Sequence, residues 1–256
     1  MKNIKDFKSF LNESTNNEIQ NYLHKVDYTN LEPSATKEDI QNLCRIAAEY
    51  KVFSVCILPN MVETARIYLD EYNEEFNSDV KVCTVISFPN GDDSLGQKFA
   101  ETKECLNDGA QEIDMVFDYK KLKEHSDDDE VYDYLIEDVS QLAALVHHKG
   151  MLLKVIVESG LLSEEETEIA THICLEAGSD FIKTSTGKVS IGAELNKIKI
   201  MKKVIDENNS DMQIKASGGI RTIEDIKLYN TLVDRFGVGF KAINNMIGLS
   251  EEKSNY

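Results

Sequence analysis

LLKVIVESGLLSEEETEIATHICLEAGSDFIKTST, residues 152–186, decides the fold. Its ends, Leu152–Glu158 and Asp180–Thr186, are apolar runs rich in β-branched residues, and the stretch between them, Glu164–Glu176, is patterned as a helix. A strand, a helix and a second strand in this order make a parallel pair with a helical crossover. Outward from this unit the same alternation repeats. Further strand-like runs lie at His24–Thr29, Val52–Leu58, Val80–Phe88, Glu112–Phe117, Met212–Ser217 and Arg235–Gly239. Helical patterns fall at Lys37–Tyr50, Val62–Tyr72, Ser94–Asp108, Val131–Lys149, Ala193–Glu207 and Thr222–Leu232. The runs are spaced by roughly 20 to 40 residues, which is room for a helix and two short loops.

Eight such strands favour closure over an open doubly wound sheet, which usually carries a glycine-rich turn after its first strand. No such turn follows Tyr28 or Leu58. The expected fold is therefore an α/β TIM (β/α)8 barrel, a single domain with a short N-terminal helix. The chain's 256 residues match the roughly 250 that this fold needs. The division expected is a helical extension over 1–20, the barrel over 21–247 and a mobile polar tail over 248–256.

Composition narrows the partners. With 28 basic and 46 acidic residues, the formal charge is −18, a field that repels nucleic acid and anionic membrane. Five widely spaced cysteines form no C-x-x-C pair, which suits reduced thiols in the cytoplasm better than disulfides or zinc. The N-terminal MKNIKDFKSFLNES has no apolar run long enough for a signal peptide or span. No nucleic acid, membrane, metal or cofactor is expected, and the localisation is cytoplasmic. His147 and His148, on a helix away from the strand ends, read as solvent-facing.

A TIM barrel places its active site at the C-terminal ends of the strands, so the polar residues within and just after the runs are the candidates. They include Asp27, Thr29, Cys56, Asp114, Lys154, Lys183, Thr186 and Lys215. Three lysines and an aspartate lie in strands that otherwise look buried. A lone strand lysine can be a structural ion pair, as Lys154 would be with Glu158 or Asp114. Three together repel one another, and the best desolvated sheds its proton most easily. A neutral amine is the nucleophile that attacks a carbonyl. Two glycine-bearing loops, Thr186-Gly187-Lys188 and Gly218-Gly219-Ile220-Arg221, let backbone N–H groups approach an anion beside two cations. They point to a phosphate.

The ordered motifs VCTVISFPNG (82–91), EIDMVF (112–117), LLKVIVESG (152–160), DFIKTSTGK (180–188) and IKASGGIRT (214–222) resemble those of deoxyribose-phosphate aldolases, a class I aldolase family. The resemblance runs from about Asp27 to the C-terminus. It implies a TIM barrel and the reversible cleavage of 2-deoxy-D-ribose 5-phosphate to D-glyceraldehyde 3-phosphate and acetaldehyde. It assigns the Schiff base to Lys183, a neighbouring charge and proton relay to Lys215, and the acid–base role to Asp114 acting through a water. The partners implied are a sugar phosphate and aldehydes, with a homodimer as the expected assembly. The terminal Tyr256 is similar to a tyrosine that ends longer members and assists the proton step at C2. Substrate contact is expected from Asp27, Thr29, Cys56, Lys154, Thr186, Gly187, Lys188, Gly218, Gly219, Arg221 and Gly239.

One departure is evident. Family members carry small hydroxyl residues after the Phe-Gly of the last strand, where this chain has Gly239 and Phe240. Two other readings follow: an aldolase of the same mechanism preferring another or unphosphorylated acceptor, and a non-catalytic sugar-phosphate binder.

Overall fold

Strand pairing follows chain order and then closes. In the computed structural model, which describes residues 18–249, eight parallel strands form one barrel in the order β1 to β8, with β8 returning to β1. The strands are β1 (Val26–Asn30), β2 (Ser54–Ile57), β3 (Lys81–Ile86), β4 (Glu112–Val116), β5 (Leu152–Ile156), β6 (Phe181–Lys183), β7 (Gln213–Ser217) and β8 (Arg235–Gly239). Around them lie α1 (Lys37–Tyr50), α2 (Val62–Phe76), α3 (Leu95–Asn107), α4 (Tyr119–Glu124), α5 (Asp129–His148), α6 (Glu164–Glu176), α7 (Leu195–Glu207), α8 (Ile223–Tyr229) and α9 (Phe240–Met246). The expected TIM barrel is the fold observed. The expected N-terminal helix, the end of the polar tail and Tyr256 lie outside the described residues, wholly or in large part.

Local chemistry sets the helix starts. Thr36, Ser94, Ser163 and Thr222 each accept from the backbone N–H three residues on, and Asp39, Gln97, Glu166 and Asp225 reach back to the cap. Each of these capping boxes satisfies two amides that no helix turn can. α2 runs four residues past the sequence expectation, to a left-handed Asn77 that closes its last carbonyls. β6 is only three residues long, because the chain leaves extended geometry after Lys183. Two short helices, α4 and α9, were not anticipated.

The strands are buried on both faces. Outward side chains such as Val55, Ile113, Val155, Ile182, Ile214 and Val238 pack beneath the helices and are fully or almost fully buried. Each contributes roughly 1.5–3 kcal/mol of transfer free energy. Inward positions carry the charge. This inversion puts the apolar core between sheet and helices and leaves the barrel axis for polar chemistry.

The helix layer holds one buried ion pair of its own. Lys98 of α3 donates to Asp138 Oδ2 of α5 at 2.6 Å, with both side chains essentially inaccessible. Burial raises the Asp138 carboxyl and Lys98 offsets only part of that. Removing one partner strands a charge in apolar surroundings. Asp138→Ala is expected to lose about 3–5 kcal/mol of unfolding free energy, measured by urea denaturation, whereas the paired Lys98→Met and Asp138→Leu replacement recovers most of it.

Candidate active site

The site begins with strand register. Lys183 of β6 lies opposite Lys215 of β7, and Asp114 of β4 lies opposite Lys154 of β5. Because alternate residues of a strand face one side, these side chains meet in the barrel interior. Asp114 Oδ2 accepts from Lys183 Nζ at 2.7 Å and from Lys215 Nζ at 2.6 Å, while Oδ1 accepts from Lys154 Nζ at 2.9 Å. Lys154 also donates to Glu112 at 2.6 Å, and Lys215 pairs with Asp27. Arg235 completes the floor: its Nη1 donates to Asp27 at 2.9 Å and lies 3.2 Å from Glu112, with its guanidinium 3.2 Å above the Phe53 ring. Gly237 makes room for this arrangement, since a Cβ there would stand 3.2 Å from Lys215 Cε and 2.9 Å from Ser217 Cβ.

The interior is not a crowd of mutually repelling ammonium groups, as the sequence suggested. Carboxylates separate them. Burial alone would raise Asp114, yet Lys154, Lys183 and Lys215 hold it well below the usual carboxylate range. Asp27 is likewise held low: burial opposes ionisation, and Lys215, Arg235 and Lys154 outweigh it. Burial would discharge Lys215 and Lys154, but Asp114 with other carboxylates raises both.

Above this cluster a cavity of about 530 Å³ opens at the C-terminal ends of the strands. Lys183 is on its wall at the floor, 3% exposed. Thr186, Gly187 and Lys188 line it after β6; Gly218, Gly219 and Arg221 line it after β7; Thr29 and Gly239 line it at the seam. Gly218 and Gly219 have φ of +81° and +80°, a backbone region that glycine adopts without strain. Gly218 also packs against Gly192, where a Cβ would meet the Gly192 Cα at 2.9 Å. The loop after β6 is anchored sideways. Glu158, itself left-handed at φ +50°, accepts from the Thr186 hydroxyl at 2.5 Å and from its amide at 3.2 Å.

Three of the expected substrate contacts lie behind the wall. Asp27 is consumed by Lys215 and Arg235, and Lys154 by Glu112 and Asp114, each at least two residues below the strand end. Cys56 is buried among Leu31, Cys83 and Val85. Lys154 pairs with Asp114, one of its two anticipated partners; Glu158 instead holds Thr186. His147 is exposed but bonded to Asp180 at 2.8 Å. Sequence reading missed Glu112 and Arg235, which two-residue alternation with Asp114 and Gly237 could have placed inside. It also missed Lys241, Asn30, Glu32 and Asn245 on the cavity wall. The signal for Lys241 was its position two residues after the last strand.

A TIM barrel with a lysine–carboxylate centre beneath an open, cation-lined cavity fits an aldolase, a carbon–carbon lyase. The chain belongs to the DeoC/LacD family aldolases, which it matches over residues 22–238. The deoxyribose-phosphate aldolase of Thermococcus kodakarensis is 43% identical over 199 residues, 78% of this chain and 84% of that protein. That of Clostridium botulinum is 39% identical over 91% of this chain and 97% of its own length. The crystallised tetrameric deoxyribose phosphate aldolase of Aeropyrum pernix superposes with a TM-score of 0.75 at 27% identity, covering 90% of this chain and 91% of that one. Among the described residues no helix is long and apolar enough to cross a membrane.

The cluster's charges have a definite pH signature. Asp27 and Asp114 are depressed below 3.8, so as pH falls the unfolded chain binds protons first. Their stabilisation is complete above the ordinary carboxylate value and is lost below it. Lys215 is raised above 10.5, so its contribution is complete below that value and is lost only as pH climbs beyond it. Asp27→Asn is expected to cost about 3–5 kcal/mol at neutral pH and to flatten the acid limb, read from denaturation midpoints across pH.

Proposed function

We propose that this chain is a class I aldolase cleaving 2-deoxy-D-ribose 5-phosphate to D-glyceraldehyde 3-phosphate and acetaldehyde, with residues 21–247 as its barrel domain. The observation that carries this reading is Lys183 at the cavity floor, bonded to an Asp114 oxygen that Lys215 shares. The activity named for the relatives agrees with it.

Lys183 is the member of the cluster that lines the cavity, where a carbonyl can reach it. Its amine attacks C1 of the open-chain aldehyde and, with loss of water, forms an iminium. Removal of the C3 hydroxyl proton then breaks the C2–C3 bond, and the iminium accepts the electron pair as an enamine. Asp114, working with Lys215 through a water, moves the protons at these steps. Protonation at C2 and hydrolysis release acetaldehyde and return the lysine. Tyr256 is assigned to the C2 proton step. The phosphate end is proposed to lie at Gly187, Lys188, Gly218, Gly219 and Arg221, which line the cavity and bring two cations to it. We further propose a cytoplasmic homodimer.

Incubation with acetaldehyde and borohydride freezes the imine as a stable amine. Peptide mass analysis is expected to find one adduct, at Lys183, which Lys183→Met abolishes. A folded protein with no adduct would favour the binding-protein reading.

A second reading, preference for an unphosphorylated acceptor, is favoured by Gly239, which offers the cavity no hydroxyl. One or two missing hydrogen bonds correspond to about 1–3 kcal/mol of phosphate discrimination. The kcat/KM ratio for phosphorylated over unphosphorylated deoxyribose is therefore expected to rise in Gly239→Ser. An unchanged ratio would remove the hydroxyls from the account of specificity.

A further inference from the structure

Strands β2 and β3 each turn one cysteine into the barrel, and their register sets Cys56 directly beside Cys83. Both are fully buried. Cys83 Sγ donates to Asp114 Oδ1 at 3.2 Å, and Lys154 Nζ lies 3.4 Å from the same sulfur. The two sulfurs and an Asp114 oxygen all lie within 4.8 Å of one another. The aldol chemistry above gives neither thiol a task.

We propose that Cys56, Cys83 and Asp114 form a binding site for a thiophilic divalent cation of the zinc and cadmium kind, and that an ion there silences the lysine centre. Zn–S bonds near 2.3 Å and Zn–O bonds near 2.0–2.2 Å put ligands of a tetrahedral ion roughly 3.3–3.8 Å apart. Side-chain adjustment alone spans the difference. Two soft sulfurs with one oxygen select against magnesium and calcium, which take oxygen donors.

Charge is the obvious objection, because Lys154, Lys183 and Lys215 already surround Asp114. It is met by proton balance. A divalent ion entering while two thiols each release a proton leaves the net charge of the cluster unchanged. Affinity therefore rises with pH. Leu31 belongs to the same buried apolar cluster as the cysteine pair and also lines the cavity. Ligation of Asp114 draws the carboxylate from the ammonium groups of Lys183 and Lys215. The silencing rests on the role proposed for Asp114; the binding does not.

The test uses the full chain, reduced, with Cd²⁺ as the probe. Thiolate-to-cadmium charge-transfer absorption and proton release in weak buffer report binding without reference to activity. The expected result is one thiolate-bound Cd²⁺ per chain with about two protons released. Cys56→Ala and Cys83→Ala should each weaken binding by about tenfold or more, with Cys83→Ser as a second variant if the alanine form does not fold. Cys44→Ala, in the helix layer, should bind as the parent does. Borohydride trapping of acetaldehyde should fall in step with occupancy and return on chelation. A charge-transfer band that survives in folded variants at both positions, or its absence in the folded parent, overturns the site. Binding with undiminished trapping overturns the silencing alone.

Discussion

A single carboxylate, Asp114, holds three ammonium groups in the buried interior of the barrel. Everything else in the barrel interior is arranged around that fact. Desolvation penalises each charge separately, and only mutual pairing offsets it. The pairs therefore have to be complete: Lys154 is covered by Glu112, Lys215 by Asp27, and both carboxylates lean on one guanidinium nitrogen of Arg235. The guanidinium in turn lies flat on Phe53. This chain of dependence runs from the floor of the barrel to Lys183, the member on the cavity wall. Lys183, the amine proposed to react, is thus positioned through groups such as Asp27, Glu112 and Arg235 that do not line the cavity.

The cavity shows a second constraint, imposed by the chain's overall acidity. A formal charge of −18 gives an anionic substrate no general attraction, so recognition has to be local. Lys188, Arg221 and Lys241 are the cations on the cavity wall, beside Gly218 and Gly219. Glu32 stands on the same wall and works against them. Gly239 leaves the seam of the barrel bare where a hydroxyl would have added direction to charge. The balance at this end is electrostatic more than geometric.

Much of this was legible in the residues. Apolar runs alternating with helical patterns indicated the barrel, and lysines in such runs indicated its charged interior. The glycine-bearing loops after β6 and β7 indicated part of the cavity wall. What stayed hidden depended on depth along the strand. Thr29 and Asp27 share one face of β1, yet only Thr29 reaches the cavity, because two residues of strand rise separate them. Lys154 and Lys183 both point inward, and the stagger between β5 and β6 decides which one surfaces. Stagger is a property of the closed barrel and has no signature in either run. Glu112 and Arg235 escaped notice because a charged residue at the start of a strand looks like its solvent-exposed edge. The helix bearing Lys241 was missed because KAINNM is short and weakly patterned.

Glu158 has a consequence for anyone who would recut the specificity of this enzyme. Its backbone is held in a left-handed turn and its carboxylate is spent on Thr186, while the amide of Ser159 donates to the Thr184 carbonyl at 2.8 Å. The segment proposed to hold the phosphate is therefore bolted to the end of the neighbouring strand. Grafting a foreign sequence over residues 184–188 alone would orphan a buried acid and release the bolt. The natural unit of exchange is two loops at once, and a library built on one of them would sample mostly broken halves.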